Sequence, residues 1–201
     1  MPRFSPAKLM SLIPFLLGSL LFVGLSYEAS ALPFATGRAG GGYVYLPGYK
    51  GAKGSSTQTL SGSGRFGYLL DESRFYFALD ANAYRVYKNK TLMANQDGNS
   101  GLLIVGYELE TQSFWMGAGA GEIRIYDRTD YTVTGKKKSN HYYTNEQAIG
   151  YNYQLYRADF ARVECGASLS RIVPDSDWRT KTKVGSINTL QIDIGFKLFN
   201  W

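Results

Sequence analysis

The last twelve residues, Leu190–Trp201, read LQIDIGFKLFNW. Leu190, Ile192, Ile194, Phe196 and Leu198 are apolar, and Gln191, Asp193 and Lys197 stand between them. Successive side chains of a strand point to opposite faces, so the segment has one apolar and one polar face. That pattern suits a soluble sandwich, and it equally suits a membrane barrel with lipid outside and polar filling inside. The strand runs to an aromatic ending. Phe199 and Trp201 fall in the phase opposite to Leu190–Leu198. A terminal bulge would reconcile the two phases.

The other end of the chain bears on the choice. Met1–Lys8 carries Arg3 and Lys8 and no acid, and Leu9–Leu25 is apolar apart from Ser11, Pro14, Gly18, Ser19 and Gly24. Ala29-Ser30-Ala31 follows, a small-x-small cleavage pattern. This is the layout of a secretory signal peptide, so residues 1–31 are expected to be removed after Ala31, leaving 32–201 as one domain. Pro14 and Gly18 interrupt the run and argue against an uncleaved membrane anchor. Cys165 is too far from the signal for an N-terminal lipoprotein. One Cys allows no internal disulfide, and one His and one Cys exclude clusters of such ligands, so no metal site or cofactor is expected. The chain has 23 Gly and 16 Tyr against 6 Pro, a composition suited to strands joined by turns.

Eight alternating segments can be read: about Arg38–Leu46, Gln58–Leu70, Arg74–Tyr87, Gly101–Leu109, Ser113–Tyr126, Tyr143–Tyr153, Arg157–Ile172 and Ser186–Trp201. Their connections alternate in length. PGYKGAKGSST, KNKTLMANQDGNS, DRTDYTVTGKKKSNHY and VPDSDWRTKTKVG are long, whereas DES, ETQ and QLY are tight. In an up-and-down sheet alternate connections share an end, so the long loops gather at one end and the turns at the other. Outer-membrane barrels have this asymmetry. The expected fold is therefore all-β, an eight-stranded antiparallel up-and-down transmembrane barrel. Both termini then lie at the turn end.

The polar phases place Arg65, Asp80, Glu146, Arg162, Glu164, Asp193 and Lys197 inside, since each would cost about 2–4 kcal/mol in hydrocarbon near the midplane. Eight strands leave an interior just wide enough for side chains, which argues against a wide pore. Aromatic girdles at both headgroup levels are expected: Tyr43, Tyr45, Tyr84, Tyr87, Tyr126 and Tyr143 towards the loops, and Tyr68, Tyr107, Trp115, Tyr153, Tyr156 and Trp201 towards the turns.

On the signal peptide, the eight segments, the sorted loops and the aromatic-terminated last strand, the chain resembles the small outer-membrane β-barrels. These include the transmembrane domain of outer-membrane protein A and the opacity-type proteins. The resemblance is architectural and covers residues 32–201. It implies a bacterial outer-membrane location among membrane lipids and lipopolysaccharide. It also implies a C-terminal strand, ending at Trp201, that the barrel-assembly machinery reads. A fainter similarity rests on AYRVY, SGLLIVGYELE, GAGAGEIRIYDRTD and GASLSRIVPDSDWRTKTKVG, which follow one another as in barrels associated with cellulose biosynthesis. It implies an accessory role in exopolysaccharide secretion.

Specific function then falls to the loops, with a structural or surface-interaction role as the first reading. Lys136, Lys137 and Lys138 supply basic charge for lipopolysaccharide phosphates. Tyr49, Trp178 and Arg179 offer rings and hydrogen bonds for a polysaccharide. Nucleic acid is not expected as a partner of an exported barrel. Ser139, His141 and Glu146 are the parts of a nucleophilic hydrolase, and the resemblance makes a lipid A-modifying acylase or acyltransferase the third reading, but Ser139 and His141 read as a loop tip beside three lysines. The protein is expected not to be an enzyme.

Overall fold

The computed structural model describes residues 31–46, 54–70, 73–86, 95–131, 137–175 and 185–199. They form eight strands: β1 (Ala31–Leu46), β2 (Ser55–Leu70), β3 (Phe75–Val86), β4 (Asn95–Glu108), β5 (Gln112–Tyr131), β6 (Lys137–Arg157), β7 (Ala161–Pro174) and β8 (Ile187–Phe199). Each pairs antiparallel with its neighbour in sequence, and β1 pairs with β8, so the sheet is a closed barrel. Closure leaves no open sheet edge in the wall, the condition a strand protein must meet in hydrocarbon.

The register fixes the stagger. Pairing from Ala35 runs through Phe66, Leu79, Leu103, Ala118, Gln147 and Arg171 to Asn188. Yet β1 pairs Ala35 directly with Leu198, so one circuit climbs ten residues, from 198 to 188. Strands therefore tilt, by about 35–45° in such barrels. A paired row rises towards the long-loop end as it crosses from β1 to β8. The row just traced begins on apolar residues and ends on Arg171 and Asn188.

Outward side chains are apolar over the turn-side part of the wall. Phe66, Phe77, Leu79, Val105, Met116, Ile149, Leu169, Ile192, Ile194 and Phe196 are all exposed. The outward run Leu190–Leu198 spans roughly 20 Å along the barrel axis at about 3.3 Å per residue and that tilt, close to the apolar band of about 25 Å in outer-membrane barrels. At the turn end Tyr68, Phe75, Tyr107, Phe114, Tyr153, Tyr156 and Phe160 form an exposed aromatic belt, with Phe75 and Tyr107 rings 5.0 Å apart. Tyr43, Tyr45 and Tyr143 stand exposed at the loop end.

Two expected girdle residues are corrected. Tyr84 and Trp115 point into the barrel and are buried. Around Trp115 the sequence reads Phe114-Trp115-Met116, apolar on every residue, so no alternation identifies the inner one. Gly150 makes room for it: a Cβ there would lie 2.2 Å from the indole. Tyr87, Tyr126 and Trp201 contribute no described side chain.

Two boundaries also differ from expectation. β5 and β6 extend to Tyr131 and from Lys137, so most of the expected third long loop is strand. The run DRTDYTVTGKKKSNHY is polar on both phases, which hides an amphipathic strand. Among the described residues of β8, which end at Phe199, no bulge intervenes. Pairing of β8 with β1 and β7 is regular, and Phe199 points inward. Residues 1–30 and Trp201 lie outside the described residues.

Candidate functional site

The lumen is filled in layers. At the turn end Glu108 accepts hydrogen bonds from both Arg162 and Lys197. Lys197 also sits 4.6 Å from the Phe34 ring centroid and 4.8 Å from that of Phe199, while the Arg162 guanidinium lies 4.5 Å from Phe199. One carboxylate thus holds two cations, and the cations rest on aromatic faces. The out-of-phase ring of the last strand closes the mouth from within.

Above this, Phe34 and Tyr76 pack edge to face at 5.5 Å and join Ala78, Leu102, Ile104, Trp115 and Ala148 in an apolar cluster. The Arg65 guanidinium lies 4.4 Å from the Trp115 ring. Its Nε and Nη2 donate to Asp80 Oδ2 at 2.8 and 2.6 Å. Arg65 and Asp80 face each other directly in the β2–β3 register, which is why a buried pair forms without distortion. Arg38 Nη2 lies 4.0 Å from Glu164 Oε2. Arg38, Arg65 and Asp80 border a small cavity of about 30 Å³ that Glu146 and Asp193 also line. No described opening leads through the barrel, since the loop end is closed by a second apolar cluster: Val44, Leu46, Tyr84, Val86, Ile123, Tyr142, Ile172 and Ile187.

That second cluster marks a reversal. On the turn side of the wall the outward side chains are apolar, and the inward ones combine buried charges with the apolar cluster around Phe34, Tyr76 and Trp115. Asp80 is buried beside outward Leu79, and Asp193 lines the cavity between outward Ile192 and Ile194. Nearer the loops the same strands are apolar inside and polar outside. Val86 is buried beside outward Arg85, Ile123 between outward Glu122 and Arg124, and Ile172 beside outward Arg171. Water, not lipid, surrounds a wall of the second kind. The strands therefore continue beyond the membrane as a water-exposed extension with its own core.

The outer face of this extension carries a ladder across β3–β6. Arg85 pairs with Asp97, Asp97 with Arg124 and Arg124 with His141 in register, while Asn99 pairs with Glu122 and Glu122 with Tyr143. Arg85 Nε donates to Asp97 Oδ1 at 2.7 Å. Glu122 accepts from Arg124 and, at 3.3 Å, from Asn99, and its other oxygen lies 3.7 Å from His141 Nδ1. The Arg124 hydrogen bond holds the Glu122 carboxyl below the usual carboxylate range. Composition alone hid this patch, because each residue reads as an ordinary strand-end polar group.

The seven residues read as interior fall as follows. Arg65, Asp80, Glu146, Glu164 and Lys197 are buried within the lumen, and Arg162 and Asp193 are partly buried there. Of the residues read as loop contacts, Tyr49, Lys136, Trp178 and Arg179 lie outside the described residues. Lys137 and Lys138 belong to β6 rather than to a loop. Ser139 and His141 are likewise in the strand, not at a loop tip. His141 faces out and is half exposed, whereas Glu146 is buried inside. Five residues apart on one strand, they stand on opposite faces of the wall. They do not form a triad.

No protein-family model matches the chain, and no curated protein sequence does. Solved structures do match in fold. Neisserial surface protein A is 13% identical, with a TM-score of 0.51 over 84% of this chain and 98% of that one. Ail, the attachment invasion locus protein of Yersinia pestis, is 12% identical, with a TM-score of 0.51 over 82% of this chain and 98% of that one. At such identity the likeness is one of fold. The chain has the architecture of the small eight-stranded outer-membrane barrels.

Proposed function

We propose that the protein is an integral outer-membrane barrel that acts as a membrane-anchored surface platform, with no wide pore and no catalytic role. The reversal of wall polarity supports this reading most directly. It requires lipid around one part of the strands and water around the other, with the water-exposed part at the long-loop end. In that reading the turns and both chain ends face the periplasm and the loops face outward. The barrel-assembly machinery would read the C-terminal strand ending at Trp201. A leader cleaved after Ala31 would deliver the chain.

The partners this reading favours are lipopolysaccharide and surface polysaccharide. Outward Arg85, Arg124 and Arg171 stand where the wall changes from apolar to polar, the level of anionic headgroups, and guanidinium groups are suited to phosphate. Lys136, with Lys137 and Lys138 at the start of β6, adds charge for phosphate, and Tyr49, Trp178 and Arg179 add groups for sugar. Purified barrel in detergent, titrated with lipopolysaccharide and with a neutral β-glucan, separates the two. If charge dominates, Lys136–Lys138→Ala weakens lipopolysaccharide binding and salt removes it. If stacking dominates, Trp178→Ala weakens glucan binding and salt changes little. Binding of neither ligand contradicts the platform reading in this form.

A further inference from the structure

The cavity in the middle of the lumen is unbalanced in charge. Arg38 and Arg65 line it on one side of the account, and Asp80, Glu146 and Asp193 on the other. Neighbouring ionic groups do not correct this. Glu164 faces Arg38, and Glu108 is taken up by Arg162 and Lys197. Over the described lumen, four basic side chains face five acidic ones. Glu146 is 6% exposed and makes no salt bridge among the described residues; its carboxyl lies beside Ser100 and Ser170. A buried carboxylate without a counter-charge costs several kcal/mol, so something must neutralise one negative charge there.

The wall itself points to what does. Both hydrogen bonds from Arg65 go to Asp80 Oδ2, and Asp80 Oδ1, fully buried, has no partner. Asp80 is 3% exposed and borders the cavity. Around it stand neutral oxygen ligands from Ser63, Ser168, Ser170 and Gln191. Carboxylate, hydroxyl and amide oxygens are the ligands of hard cations. Among the described residues no three His, Cys, Asp or Glu side chains converge as a multivalent metal site would need. About 30 Å³ admits a bare small ion and a water or two, and excludes an organic cation.

We propose that this chamber binds one small monovalent cation of the sodium class, held by Asp80 Oδ1, the Glu146 carboxylate and the adjacent serine hydroxyls. The site lies between the two apolar clusters, members of both of which line it. The ion belongs to the folded barrel alone, so it stabilises that state by mass action. The rival neutraliser is a proton on Glu146.

The test is thermal unfolding of the purified mature barrel in detergent, in sodium chloride or N-methylglucamine chloride at equal ionic strength and a pH well above the carboxylate range. The proposal expects a higher midpoint in sodium, rising with concentration and saturating, and little gain from caesium. Glu146→Gln removes the sodium dependence while the unboiled band on SDS gels persists, and Ser170→Ala weakens it. Superposed sodium and N-methylglucamine curves for the unmodified protein overturn the proposal, whether or not Glu146→Gln folds. So does a sodium shift that survives in a folded Glu146→Gln barrel.

Discussion

The two ends of the lumen are closed by opposite chemistry. At the turn end the seal is ionic and aromatic: Glu108 with Arg162 and Lys197, whose cations lie against the rings of Phe34 and Phe199. At the loop end it is aliphatic, built on Val44, Leu46, Val86, Ile123, Ile172 and Ile187. The difference follows from what lies outside each. Where lipid solvates the outer face, the outward phase is apolar, and the inner phase also carries charges, which must satisfy one another beside the cluster around Phe34, Tyr76 and Trp115. Where water solvates the outer face, the ordinary hydrophobic effect returns and the apolar phase turns inward. One chain thus uses two folding rules within single strands, and β7 switches between Leu169 and Ile172.

The comparison can be broken most severely at the ionic end. Glu108→Gln leaves Arg162 and Lys197 buried without their carboxylate and should lower stability by about 3–5 kcal/mol. Urea unfolding in detergent and the temperature at which the unboiled SDS band disappears both read this. A loss under about 1 kcal/mol would mean the cations reach water, as exposed pairs do. At the aliphatic end Ile172→Ala should cost about 2–4 kcal/mol, because it opens a cavity in a packed core. The same truncation at Ile192, 64% exposed on the lipid side, should cost much less. Equal effects at the two isoleucines would remove the distinction between a watery extension and a lipid-facing wall. The smallest effect is expected on the outer ladder. Arg85→Ala should change stability by about 0–1 kcal/mol, since its side chain is 60% exposed and solvent screens the Asp97 pair. Such a change would sharpen the view that this ladder is available to a partner.

Much of this was legible in the sequence and some was not, for physical reasons. Strand number, order and loop sorting follow from alternation and connection length. The buried Arg65–Asp80 pair was visible as charge in the phase opposite to Phe66 and Leu79. The aliphatic seal was not. In Tyr43-Val44-Tyr45-Leu46 every residue is apolar or aromatic, so the phase is undetermined until the solvent outside is known. Tyr84 shares the inward phase of Asp80 and Asn82, and only its place near the strand end suggested the girdle; the structure keeps it in the core. The extension of β5 and β6 was hidden by polar residues on both faces. The Glu108 cluster joins residues 89 apart in sequence and required the closed barrel to be seen.

The reversal of wall polarity is tested most directly by two single-cysteine variants in a Cys165→Ser background, at Leu169 and at Arg171. Both face outward on β7, two residues apart. In reconstituted liposomes, a fluorophore at position 169 should be quenched by spin-labelled acyl chains and shielded from aqueous iodide. At position 171 it should show the reverse, with rapid reaction towards a membrane-impermeant maleimide. Acyl-chain quenching and iodide shielding at both positions would place lipid around the whole wall and contradict the account.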